Sequence, residues 1–143
     1  MTGSYLFELN RMISPKHILI ADDDRELIRA LAIRLNRLGI QIRVAHDVET
    51  ALGKIRQSTP NLIILDVNLF TGNGSNCIEM IVNDPSASDV PLIMLTSRKE
   101  QINGRGYHDL LARYVLKAPD IWEQVEPAIY QFMNLDPPCT ICG

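Results

Sequence analysis

Short apolar runs rich in branched side chains alternate along the chain with segments whose apolar positions return every three or four residues. The runs cover residues 17–21, 40–45, 61–65, 91–95 and 113–116, each about the length of an ordinary strand. Strand and helix in regular alternation predict parallel strands joined by crossover helices, an α/β fold. Four runs are apolar almost throughout, as strands covered on both faces are. In the second, Ile40, Ile42 and Val44 alternate with Gln41, Arg43 and Ala45, which predicts a sheet edge.

The intervening segments carry helix signals of unequal strength. Leu27, Leu31, Leu35 and Leu38 share one helical face, with Asp24 placed to cap the first turn and Gly39 to end the last. Val48, Ala51, Leu52 and Ile55 repeat the pattern after Asp47, and Cys77, Ile78, Ile81 and Val82 repeat it after Ser75 until Pro85 stops them. A last helix is expected to start at Asp120, with Glu123 three residues on, and to bury Trp122, Val125, Ile129, Phe132 and Met133. Pro127 predicts a kink there unless the helix begins later, because its ring removes one hydrogen bond and costs about 3 kcal/mol. Residues 98–109 are expected to be short helix or loop, since Gly104 and Gly106 each cost about 1 kcal/mol of helix propensity. One domain over residues 16–135 is expected, with residues 1–15 and 136–143 as tails.

The 143 residues, 46% hydrophobic and 22% charged, leave room for one domain of this kind with an adequate core and exclude two. Fourteen basic against seventeen acidic side chains give a net charge of -3, no surplus with which to neutralise a nucleic acid, so no nucleic-acid partner is expected. The apolar runs are far short of the about 20 residues that cross a bilayer, and the N-terminus has no secretory pattern. A cytoplasmic protein without membrane contact is expected. Three cysteines do not make a disulfide framework and fit a reducing compartment. Cys139 and Cys142 form a C-x-x-C whose second ligand pair is missing, which reads as plain tail. His17, His46 and His108 have no metal-ligand spacing and are read as ordinary structural or surface residues.

In open parallel sheets ligands sit beyond the carboxyl ends of the strands. The residues there are Asp22, Asp23 and Asp24 after the first run, Asp66 after the third, Thr96 and Ser97 after the fourth and Lys117 after the fifth. Any one of these has a bland reading: an aspartate after a strand is ordinarily a helix cap, and Asp24 and Asp47 are read so. Their convergence from several strands is what points to chemistry. Clustered carboxylates repel, and at an effective dielectric near 20 one pair at about 4 Å costs about 4 kcal/mol. Lys117 offers one compensating charge, and the all-oxygen donor set suits a hard divalent cation, Mg²⁺ rather than Ca²⁺. Asp66 is then a candidate nucleophile toward phosphorus, with Lys117 offsetting charge and Thr96 donating a hydrogen bond to the phosphoryl oxygens.

The order of motifs closely resembles the receiver domain of two-component response regulators over residues 16–135. The resemblance is carried by His17-Ile-Leu-Ile-Ala-Asp-Asp-Asp24, by Asn61-Leu-Ile-Ile-Leu-Asp-Val-Asn-Leu69 with Gly74 eight residues past the aspartate, by Pro91-Leu-Ile-Met-Leu-Thr-Ser97 and by Tyr114-Val-Leu-Lys117. It implies a flavodoxin-like (βα)5 sandwich with strand order 2-1-3-4-5. It further implies Asp66 as phosphoacceptor, Asp22 and Asp23 as the acidic pair for Mg²⁺, Asn68 as a carbonyl ligand, Thr96 and Tyr114 as a switch pair and Lys117 as phosphate clamp. Ser97, being small, would leave the acyl phosphate open to a donor histidine and to water. The pattern is departed from at Phe70, where proline is usual, at Ala118-Pro119, where proline directly follows the lysine, and at Leu110-Leu-Ala-Arg113, where a Gly-Ala step is usual.

The reading is a phosphorylatable module, not an enzyme beyond self-phosphorylation and slow autodephosphorylation. Its expected donor is a histidine kinase or histidine phosphotransfer protein, and its signal passes to an output protein through the fourth and fifth crossovers; a homodimer fits as well. No output region is expected after residue 135, so the chain acts alone or is cut from a longer one. Two rivals are a degenerate, unphosphorylated interaction module and an enzyme, either flavin-binding or an Mg²⁺ phosphohydrolase. Flavin is disfavoured by the acidic residues after the first strand, which repel phosphate where a Gly-rich loop would be needed.

Overall fold

The apolar runs fold as β1 (His17–Ala21), β2 (Gln41–Ala45), β3 (Leu62–Asp66), β4 (Leu92–Thr96) and β5 (Ala112–Leu116). In the computed structural model, which describes residues 16–69, 76–98 and 112–135, they form one parallel sheet in the order β2-β1-β3-β4-β5. Among the described residues the helices are α1 (Arg25–Arg37), α2 (Val48–Gln57), α3 (Cys77–Val82) and α4 (Ile121–Phe132), with a 3₁₀ turn at Pro85–Ala87. The flavodoxin-like α/β architecture is the expected one. The weak crossover lies outside the described residues from residue 99 on, as do Phe70, Gly74, Ser75 and both tails.

The two-residue period of the strands divides the core. Ile18, Ile20, Leu62 and Ile64 face α1 and α4, whereas Leu19, Ala21, Ile63 and Leu65 face α2 and α3. Every residue of β3 and β4 is buried. β2 alternates between exposure and burial as an edge should, and β5, at the other edge, is half-buried along most of its length although its run read as covered.

Local chemistry sets the helix ends. Asp24 Oδ1 accepts from the N–H groups of Glu26 and Leu27 at 3.1 Å each, Asp47 Oδ1 from Thr50 at 2.7 Å, and Asn76 Oδ1 from Ile78 at 2.8 Å. Gly39, at φ 77°, supplies the left-handed residue that ends the leucine-striped helix. The last helix starts at Asp120 as expected, but without a side-chain cap: the Asp120 backbone is not extended, and its carboxylate accepts from Gln124 Nε2. α4 does not begin later to avoid Pro127, which lies exposed in its interior. Trp122 and Phe132, expected in the core, are half-buried under the guanidinium groups of Arg34 and Arg113, 5.4 and 5.7 Å from the ring centroids.

Candidate functional site

Register and alternation assemble the site. Ala21 pairs with Leu65, so Asp22 falls beside Asp66, and both continue the face that carries Ile20 and Ile64. On β5, Val115 lies on that same face, and Lys117 follows it two residues later. Three strand ends therefore send two carboxylates and an ammonium to one place. Lys117 Nζ is 2.9 Å from Asp22 Oδ2 and 3.3 Å from Asp66 Oδ2. Its backbone N–H is held by the Thr96 carbonyl at 2.6 Å.

Asp22 is fully buried, Asp66 is 5% exposed and Asp23 lies open to solvent. One oxygen from each of these three carboxylates lies within 4.8 Å of the others. Asp22 Oδ1 accepts from Asp24 N–H at 2.9 Å, and Asp66 Oδ1 accepts from Asn68 N–H at 2.9 Å. Asp22 Oδ2 is buried, and among the described residues the Lys117 ammonium is the one donor within reach of it. A carboxylate oxygen so placed, among two further carboxylates and no neutral donors, fits an oxygen-binding divalent cation.

Burial pushes the Asp22 carboxyl above its ordinary range, and the Asp66 charge adds to this; the Asp24 N–H and Lys117 pull the other way without cancelling it. For Lys117, desolvation works against the charged form, but the two carboxylates outweigh it and hold the ammonium above its ordinary value.

Thr96 closes β4 and is buried; its Oγ1 accepts from Arg98 N–H at 3.1 Å and lies 3.3 Å from the Arg98 carbonyl, to which it donates. Tyr114 sits mid-strand on β5 opposite Met94, half-buried against the α2 and α3 face. Asn68 is exposed two residues past Asp66, and Ser97 is exposed beyond Thr96.

Two neighbours carry no sequence signal. Cys77, completely buried at the start of α3, donates its thiol to the Asp66 carbonyl at 3.2 Å and its N–H to the Leu69 carbonyl at 3.3 Å. His46, read above as an ordinary residue, lies 3.2 Å from the Asp22 carbonyl through Nδ1. Both contacts are made to backbone, which no spacing of residue types reveals.

Residues 18–123 match the family model of the response regulator receiver domain. Over 86 residues the chain is 29% identical to the phosphate regulon transcriptional regulatory protein PhoB of Klebsiella pneumoniae, a match covering 60% of this chain and 38% of that protein. The chain thus spans well under half the length of this curated relative. Among solved structures, the N-terminal domain of a response regulator receiver protein from Methanoculleus marisnigri is 28% identical, with a TM-score of 0.62 over 80% of this chain and 94% of that one. The response regulator TrrA of Thermotoga maritima, solved in complex with Mg²⁺-BeF, shares the fold at a TM-score of 0.68 and 23% identity, over 82% of this chain and 98% of that one. With a family match over most of its length and a strand-end carboxylate cluster where that fold keeps its ligands, the chain belongs to the receiver domains of two-component response regulators.

Proposed function

We propose that Asp66 accepts a phosphoryl group from a phosphohistidine of a histidine kinase or histidine phosphotransfer protein, with Mg²⁺ held by Asp22, Asp23, Asp66 and the Asn68 carbonyl. The observation that carries this reading is the convergence of the Asp22 and Asp66 carboxylates on one lysine ammonium at the sheet rim. A carboxylate oxygen of Asp66 attacks phosphorus, the P–N bond of the donor breaks, and its electron pair stays on the donor imidazole, leaving an acyl phosphate. Lys117, within reach of both carboxylates, moves its pairing to the phosphoryl oxygens and offsets their charge. Mg²⁺ held by these residues would supply further positive charge against those oxygens and offset the crowding of a phosphoryl group against the three aspartates.

Thr96 and Tyr114 form the switch: the Thr96 hydroxyl leaves the Arg98 backbone for a phosphoryl oxygen, and the Tyr114 ring follows it inward. A shift of population of this kind requires only a few kcal/mol of differential contact. The output is a protein partner; the net charge of -3 supports this over direct contact with nucleic acid. The setting is cytoplasmic, and no helix among the described residues is long and apolar enough to cross a membrane.

Incubation with Mg²⁺ and phosphoramidate, followed by intact-mass analysis, tests the assignment. Wild type should gain one hydroxylamine-sensitive phosphoryl adduct and Asp66→Asn none. No adduct on wild type defeats it and leaves the interaction module as the reading; an adduct that persists in Asp66→Asn defeats Asp66 as the acceptor.

A further inference from the structure

His46 joins the end of β2 to the backbone of Asp22. It follows β2 directly, is half-buried, and places Nδ1 3.2 Å from the Asp22 carbonyl oxygen and Nε2 3.2 Å from Arg25 Nη1. The chemistry of these partners fixes the ring proton. A guanidinium has donors only, so Nε2 accepts; a carbonyl oxygen has lone pairs only, so Nδ1 carries the hydrogen. Both contacts demand the same tautomer, and Arg25, the first residue of α1, selects it.

The neighbouring residue completes the clamp. Asp22 N–H donates to the Ala45 carbonyl at 3.1 Å, so Ala45 and His46 in succession hold both backbone polar groups of Asp22. The carboxylate of Asp22 has its own tie, Oδ1 to Asp24 N–H, which sets the direction of Oδ2 only while the backbone beneath it stays fixed. Buried Asp22 Oδ2 faces the Lys117 ammonium at 2.9 Å and has little tolerance for displacement, because moving it off that partner leaves a buried charge uncompensated.

We propose that His46 is a positioning residue for the cation site, holding the Asp22 backbone through Nδ1–H in the tautomer that Arg25 imposes. The proposal rests on Asp22 being a cation ligand, as set out above. It assigns a role to the β2–α2 junction that does not involve touching the cation or the phosphoryl group.

Direct titration of Mn²⁺ into the full chain, with free ion followed by its EPR signal, tests this without any phosphorylation step. In His46→Asn the amide nitrogen takes the place of Nδ1 and keeps the donor; in His46→Leu bulk remains and the donor is lost. His46→Leu should weaken Mn²⁺ about 10-fold, as loss of an outer partner of a metal ligand does, while His46→Asn stays within about threefold of wild type. Arg25→Met, which frees the ring to present a bare Nδ1 to the carbonyl, should fall between, about threefold weaker. His46→Leu binding like wild type, or His46→Asn as weak as His46→Leu, overturns the proposal. If circular dichroism shows His46→Leu unfolded, Arg25→Met decides, and unchanged affinity there overturns it. A wild-type chain with no saturable Mn²⁺ site removes the cation reading itself, and this inference with it.

Discussion

Lys117 Nζ stands 2.9 Å from Asp22 Oδ2, with the carboxylate fully buried and the lysine side chain 23% exposed. Removing one partner of a buried pair costs about 3–5 kcal/mol because the other charge stays behind. Solvent at the ammonium screens part of this, so Lys117→Met should destabilise the metal-free protein by about 2 kcal/mol. Urea denaturation in EDTA and in Mg²⁺ checks it: the loss should shrink when the divalent cation is present. Equal losses in both conditions would show that the cation does not share the charge Lys117 balances.

Asp22 should act against stability at neutral pH when no cation is bound. Its carboxyl is raised by burial first and by the Asp66 charge, only partly opposed by the Asp24 N–H and Lys117. A group raised in the folded state holds its proton more tightly there, so its stabilising contribution is full below the unfolded value of 3.8 and is lost as pH rises through the folded value. Asp22→Asn removes that loss and should raise the Tm of metal-free protein at pH 7 by about 3 °C, equivalent to about 1 kcal/mol. Mg²⁺ should then add no further stability. A lower Tm for Asp22→Asn in EDTA at pH 7 would contradict the sign.

The carboxylate site was legible in sequence because strands that run parallel in one sheet send their carboxyl ends to one rim, so Asp22, Asp66 and Lys117, each just past its run, emerge there together; that Asp22 falls beside Asp66 depends on the register of β1 with β3. Asp24 and Asp47 were legible as caps for a local reason, since each bonds N–H groups two or three residues ahead. Asp120 has the same local pattern and its side chain does not cap, because its backbone is not in the extended conformation that Asp24 and Asp47 adopt. The Arg34 guanidinium over the Trp122 ring comes from another helix, and the contacts of His46 and Cys77 depend on backbone brought close by the fold. Long-range packing of this sort has no signature in spacing.

His17 gives a pH dependence of opposite origin. Its Nε2 is buried without a hydrogen-bond partner among the described residues, and burial, followed by the nearby Arg43, holds the imidazole below its ordinary value of 6.5 despite a bond to the Ser58 backbone. The folded state therefore binds this proton less readily than the unfolded chain. The associated stability is present above pH 6.5 and is lost as pH falls from there through the folded value. Between pH 7.5 and 5.5 the urea midpoint of wild type should fall more than that of His17→Leu, which also removes an unpaired buried nitrogen. Parallel declines in the two proteins would place the acid sensitivity elsewhere.

Cys77 should behave as an inert thiol while the fold is intact. Burial, with the Asp66 charge beside it, pushes its thiol up to about 12, so about one molecule in ten thousand is thiolate at pH 8. Its sulfur is also occupied as a donor to the Asp66 carbonyl, and its N–H closes the loop back to Leu69. In a Cys139→Ser, Cys142→Ser background, labelling by a thiol reagent should track global unfolding across a denaturant series, since the sulfur becomes accessible only when α3 leaves the sheet. Labelling that precedes the unfolding transition would instead mean that the turn after Asp66 opens by itself, freeing the acceptor's backbone while the sheet stays folded. Cys77→Ser separates these further: it keeps a donor at the same place but puts a hydroxyl among apolar neighbours, and should destabilise by about 1–2 kcal/mol.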